Sequence, residues 1–91
     1  MLEIVWRQAA RSDLRSILEY ISNDNPAAAL ALLEEIEAKV SALPDQPKAY
    51  RPGRVSGTRE MVIRTNYLVV YMEKAEMLVI LRVLHAAQMW P

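Results

Sequence analysis

The 91-residue sequence predicts an α+β domain of order β-α-α-β-β-β, a sandwich in which a helical hairpin packs on one face of a small, mostly antiparallel four-stranded sheet. Three observations carry that expectation. Two stretches repeat apolar residues every three or four positions, the spacing of one helix face, and "NDNP" at 23–26 divides them. Three short runs rich in β-branched and aromatic residues follow, joined by connections so brief that their neighbours must be antiparallel. The last run, "MLVILRVL" at 77–84, is apolar almost throughout, which suits a central strand covered on both faces.

Taken in order, "LEIVW" at 2–6 reads as a short strand. From Arg7 to Ser22 the apolar positions Ala10, Leu14, Ile17, Leu18 and Ile21 form one helical stripe. Asn25 is a natural cap for the next helix, and Pro26 suits its first position, where no amide hydrogen is needed. That second helix is expected from Pro26 to about Leu43, with Leu30, Leu33, Ile36, Val40 and Leu43 inward and Glu34, Glu35 and Glu37 outward. Neither stripe can be buried without a sheet beneath it. Pro44, Pro47, Pro52, Gly53 and Gly57 mark an irregular connection over 44–58. Strands are expected at 59–64, 67–73 and 77–84, with hairpin connections at Thr65-Asn66 and Lys74-Ala75-Glu76. "HAAQMWP" then leaves the sheet as a short tail. With no repeat and no linker, residues 1–91 read as a single domain. The reverse face of the sheet has no helix to cover it, and function is sought there.

Apolar residues make up 53% of the chain, high for so short a domain, so part of that surface is expected to belong to an interface with a partner. No run approaches the roughly 20 apolar residues that span a bilayer, and no signal-peptide pattern is present, so a cytoplasmic setting is expected. Zero cysteines and one histidine leave no ligand set for zinc, and no metal or cofactor is expected. The formal net charge of zero hides an asymmetry. Residues 1–47 carry four Lys/Arg against eight Asp/Glu, and residues 48–91 carry seven against three. A uniformly basic nucleic-acid binder is excluded, whereas a basic face on the second half is not.

That second half supplies the candidate site. Arg51, Arg54, Arg59, Arg64 and Arg82 offer planar, permanently charged forks suited to phosphate or carboxylate. Arg59 and Arg64 are five apart and point to opposite faces of an ideal strand, which argues against a shared grip on one phosphate. Arg82, inside an apolar strand, needs an acidic partner, and Glu60 on a neighbouring strand is the expected one. His85 is the natural general acid or base, although a lone histidine is more often structural. Trp90 is expected either to pack over the free sheet face or to anchor a partner.

"W...A..DL..I..YI" from Trp6 to Ile21, "GR..GTREMV" from Gly53 to Val62, "NYLVVY" from Asn66 to Tyr71 and "ILRVLHAAQMWP" from Ile80 to Pro91 together resemble the RelE/ParE superfamily of type II toxin–antitoxin toxins. The resemblance covers nearly the whole chain and implies the sandwich, a cognate antitoxin as partner and assembly into a toxin–antitoxin hetero-oligomer. It implies one of two activities. ParE-like members inhibit DNA gyrase; RelE-like members cut mRNA on the ribosome without a metal, as endoribonucleases. Glu60 and Val62 stand where the RelE pattern carries lysines, and Leu68 stands where it carries a phosphate-stabilising arginine. Losing such a cation typically costs on the order of 10²–10³ in rate. The "RVLH" ending is closer to ParE-type members. By this resemblance, His85, Arg82 and Arg64 are the catalytic candidates if the chain is a nuclease. Arg51, Arg54, Arg59 and Trp90 are the residues expected to meet antitoxin or target.

Overall fold

The computed structural model describes residues 2–91. Five strands and two helices follow the order β1 (Glu3–Trp6), α1 (Gln8–Asp24), α2 (Pro26–Ala42), β2 (Arg51–Pro52), β3 (Arg59–Ile63), β4 (Tyr67–Glu73) and β5 (Met77–His85), with a 3-10 turn at Leu43–Asp45. The α+β architecture is the one expected, with one strand more. The sheet has five strands, in the order β1-β5-β4-β3-β2. The extra strand, β2, is two residues long and pairs Arg51 with Glu60 and Pro52 with Arg59. Proline and glycine punctuation conceals it in sequence, and Pro52 is tolerated because β2 lies at the edge, where a missing amide is harmless.

All pairs are antiparallel except β1 with β5, where Glu3–Trp6 run parallel to Met77–Ile80. β5 is therefore central, as its continuous apolar run predicted. The chain breaks at Asn25, whose side chain accepts the Ala28 amide at 3.1 Å, and Pro26 opens α2. The main core lies between helices and sheet: Ala10, Leu32, Ile36, Val40 and Leu43 meet Met61, Ile63, Val69, Tyr71, Leu78, Ile80 and Val83.

The buried stripe of α2 includes Ile36 and Val40, with Leu43 just beyond it, as expected, but its N-terminal part differs: Leu32 is the buried leucine, in place of Leu30 and Leu33. Ala29, Leu32, Ile36 and Val40 are buried, whereas Leu30 is 57% exposed. Both series have helical spacing in "AAALALLEEIEAKV", and α2 is apolar around so much of its circumference that leucine positions alone do not fix its rotation.

The reverse face is not bare. Leu68, Val70 and Leu84 alternate with core residues along β4 and β5 and so point away from the helices. They form a second cluster, each at most 2% exposed, against which Leu81 and Trp90 pack. The expectation of a fully open reverse face is thus corrected: Trp90, from the C-terminal segment, packs against this cluster, one of the two roles expected of it. Val62, 40% exposed, lies on the same face of the neighbouring strand β3.

Candidate protein-interaction face

Strand register places the charged residues of the second half. Arg51 is opposite Glu60, Glu60 opposite Val70, and Val70 opposite Arg82, so one cross-strand row on the reverse face reads Arg51, Glu60, Val70, Arg82. Glu60 and Arg82 were expected to pair, but two strand spacings separate them, about 10 Å. Glu60 instead serves its other neighbours. It is only 3% exposed, accepts from Arg51 Nη2 at 3.1 Å and from the Arg54 amide at 3.1 Å, and has Arg54 Nε at 3.7 Å. Two guanidiniums on one buried carboxylate leave a surplus of positive charge, and both arginine side chains remain substantially exposed, at 57% and 44%.

The loop that carries these arginines is fixed by short-range sterics and hydrogen bonds. The Gly53 amide donates to the Thr58 carbonyl at 2.8 Å, and the Thr58 hydroxyl donates to the Val55 carbonyl at 2.6 Å. A side chain on Gly53 would run into the Thr58 hydroxyl, and Gly57 holds a left-handed φ of 86°. Arg59, from which a partner contact was expected, donates from Nη1 to the Tyr50 carbonyl at 2.7 Å and so ties β3 to the incoming chain.

Arg82 reaches round the edge of β5 to α1. Its Nε and Nη2 donate to the two Asp13 oxygens at 2.7 and 2.9 Å, a bidentate fork. Asp13 Oδ2 also accepts the Val83 amide at 3.0 Å. The parallel partner β1 ends opposite Ile80, so Asp13 satisfies a strand-edge donor where the ladder has stopped. The hydrogen bond from Asp13 pushes the Arg82 pKa above its ordinary value, with burial acting in the opposite direction. On its other side the Arg82 guanidinium lies 5.8 Å from the centroid of the Trp90 ring.

Arg64 follows β3 with a left-handed φ of 55° and turns toward the helices, where Nε donates to Glu35 at 2.8 Å. That hydrogen bond holds the Glu35 carboxyl below its ordinary value of 4.5. The pair therefore contributes above pH 4.5 and is lost as pH falls through the lower folded value. His85, at the end of β5, is exposed and sits edge-on to Tyr67 at 5.8 Å. Its Nδ1 accepts the Ala87 amide at 3.2 Å, and its own amide donates to Gln88 Oε1 at 2.7 Å.

The three nuclease candidates are thus separated in role: Arg64 is held by α2, Arg82 by α1, and His85 by its own turn. The four partner candidates fall into two groups. Arg51, Arg54 and Arg59 surround the β2–β3 edge, and Trp90 packs over the middle of the reverse face. Sequence reasoning missed Asp13 as the partner of Arg82, because 69 residues intervene. The available signal was an acid one residue ahead of the buried-face Leu14. It also missed a groove of about 630 Å³ on the helix side, where Ile4, Trp6, Leu14, Leu18 and Val40 form an apolar floor.

Comparison with known proteins places this architecture. The model of the family described as "ParE toxin of type II toxin-antitoxin system, parDE" matches residues 4–90. The protein Y4kP of Sinorhizobium fredii, named for a toxin role, is 36% identical over 88 residues, covering 97% of this chain and 92% of Y4kP. Toxin RelE2 of Caulobacter vibrioides is 28% identical over 89 residues, covering 98% of this chain and all of that protein. A solved chain of the chromosomal ParDE system from P. aeruginosa superposes with a TM-score of 0.84 at 25% identity, covering 93% of this chain and 96% of that one. The chain belongs to the ParE toxin family, within the RelE/ParE superfamily of type II toxin–antitoxin toxins.

Proposed function

We propose that this toxin, held inactive in the cytoplasm by its cognate antitoxin, arrests growth by a ParE-like action on DNA gyrase and has no nuclease activity of its own. The observation that carries this reading is the match of the ParE family model to residues 4–90. The state of the charged groups supports it. A phosphoryl-transfer site needs a base, an acid and a cation converging on one phosphate. Here Arg82 is committed to Asp13 and Arg64 to Glu35, and His85 Nδ1 is occupied by a backbone amide.

The same geometry favours a protein as the ligand of the basic edge. Arg51 and Arg54 are braced by Glu60 and keep exposed surface, so they present positive charge without rearrangement. Braced arginines beside an apolar patch are a common basis for a protein hot spot. Arg59 contributes by holding the edge in place. Antitoxin and target both fit this face, and a toxin–antitoxin hetero-oligomer is the assembly this reading expects.

The alternative is a RelE-like, ribosome-dependent mRNA endonuclease, favoured by full-length similarity to Toxin RelE2. Two assays on the purified toxin separate the readings. Gyrase supercoiling should be inhibited, and translating ribosomes should yield no new transcript ends by primer extension. Transcript cleavage that disappears in His85→Ala, with supercoiling untouched, would establish the alternative.

A further inference from the structure

The helix-side groove is apolar below and oppositely charged on its two rims. Ile4 and Trp6 of β1, Leu14 and Leu18 of α1 and Val40 of α2 form its floor, and all but Val40 stay partly exposed. Its volume of about 630 Å³ falls in the range of small-ligand sites. Arg11 and Arg15, one turn apart, form the α1 rim, and Glu37 and Ser41, also one turn apart, form the α2 rim. All four are exposed. Among the described residues, Arg11, Arg15 and Glu37 take part in no ion pair, so cations and carboxylate line one groove without neutralising one another.

The helix ends reinforce this polarity. α1 and α2 form a hairpin closed at Asn25, so its open end brings the first turn of α1 beside the last turn of α2. Arg11 stands at the end of that first turn, toward the positive pole of α1, and Ser41 stands in that last turn, at the negative pole of α2. Side-chain charge and helix dipole thus agree: an anionic group is favoured on the α1 rim and a cationic group on the α2 rim. Glu19, one turn beyond Arg15, lines the far end and keeps a bound anion toward Arg11. The axes of packed helices lie about 8–10 Å apart, and an extended chain covers about 3.3–3.6 Å per residue. Two or three residues therefore span the groove with a charged terminus on each rim.

We propose that this groove binds short apolar peptides with free termini, two or three residues long. The peptide's carboxylate accepts hydrogen bonds from the Arg11 and Arg15 guanidiniums, and its ammonium donates to Glu37 and to the Ser41 hydroxyl. Its side chains rest on the floor of Ile4, Trp6, Leu14, Leu18 and Val40. Charge at both ends separates this ligand from a segment of a longer chain, which presents at most one terminus to the groove. Short peptides with both termini free are products of peptide-bond hydrolysis, so proteolysis is the class of reaction that supplies them. The groove lies on the helix side of the sheet, away from Arg51 and Arg54, and does not depend on whether gyrase or the ribosome is the toxin's target.

The test titrates the full chain with the tripeptide Leu-Leu-Phe, read by methyl and indole NMR. The free tripeptide should shift the methyls of Ile4, Leu14, Leu18 and Val40 and the Trp6 indole saturably, leaving Leu68, Val70 and Leu84 unmoved. Capping one end, as Ac-Leu-Leu-Phe or Leu-Leu-Phe-NH2, should weaken binding about threefold to fivefold, the scale of one ion pair with an exposed side chain. Variants then assign the ends. Arg11→Gln combined with Arg15→Gln should weaken the free tripeptide by at least that factor and leave the amidated one unchanged. Glu37→Gln should weaken the free tripeptide and leave the acetylated one unchanged. All three positions are exposed, so these changes spare the core, and unaltered amide spectra of β3, β4 and β5 check that the fold is kept. Absence of saturable shifts at the groove methyls would overturn the proposal. So would Ac-Leu-Leu-Phe-NH2 binding as tightly as the free tripeptide, which would mark a groove for protein segments, or capping effects that persist undiminished in the variants.

Discussion

Asp13 holds more of the structure than any other exposed-helix acid, because three donors converge on its two oxygens. Two come from Arg82 and one from the Val83 amide, so its loss leaves a partly buried guanidinium and a strand-edge donor unpaired at once. The side chains are 33% and 16% exposed, so water recovers part of the cost. Asp13→Ala is accordingly expected to destabilise the fold by about 2–3 kcal/mol, as charge-assisted bonds do when one partner is removed. Urea unfolding monitored by circular dichroism checks this. Asp13→Asn should be milder, since one amide oxygen can still accept the Val83 donor. A loss below about 0.5 kcal/mol in Asp13→Ala would mean that Arg82 finds water as readily as carboxylate. At this scale the sequence was only half legible. It showed that Arg82 must be paired, but local pattern cannot reveal which of 11 acidic residues reaches it. The answer depended on β1 stopping opposite Ile80, a tertiary fact.

Elements were more legible than contacts. The strands at 67–73 and 77–85 fall within a residue of expectation because alternation and hairpin length fix them together. The loop 53–58 was legible only as irregular, although its shape follows from two glycines and a threonine. Gly53 approaches Thr58 so closely that an added methyl meets both the hydroxyl and Cβ, the latter at 3.2 Å. Gly53→Ala should therefore cost about 1–3 kcal/mol, the usual penalty of overpacking. Because Glu60 is reached through this loop by the Arg54 amide, the same change should loosen the Arg51–Glu60 pair and raise amide exchange at Arg54. A double-mutant cycle with Thr58→Ala separates sterics from backbone effects. Removing the hydroxyl should recover part of the loss, while contacts with Cβ and the Thr58 carbonyl carbon keep the recovery incomplete. Full additivity would place the cost of Gly53→Ala elsewhere.

In the molecule as a whole, one sheet serves two cores of unequal size. Among the described residues, the helix-side core buries twelve at 3% exposure or less, and the reverse-side cluster buries three. Ile36, Val40 and Leu43 face the core as expected, so placing Leu30 inward instead of Leu32 left the fold prediction unharmed. Packing of Trp90 over the reverse face was one of the two roles expected of it, and the sequence did not choose between them. A six-residue tail with one tryptophan carries no periodicity, so nothing local says whether it docks. The two cores should respond differently to truncation. Leu32→Ala removes a fully buried side chain between helix and sheet, where the lost transfer energy and the remaining cavity together cost about 2–5 kcal/mol. Trp90→Ala deletes a larger group, but one that is partly exposed, lightly tethered and burdened by an unpaired donor, so about 1–2 kcal/mol is expected. Urea melts of the two variants rank these effects, and hydrogen exchange locates them. Leu32→Ala should raise exchange throughout β3, β4 and β5, because the global opening becomes easier. Trp90→Ala should raise it chiefly at Ala86–Gln88, leaving Val69 and Ile80 near wild-type protection. If instead the tryptophan variant lost protection across the whole sheet, the reverse cluster would be part of the cooperative core and would not open separately from it.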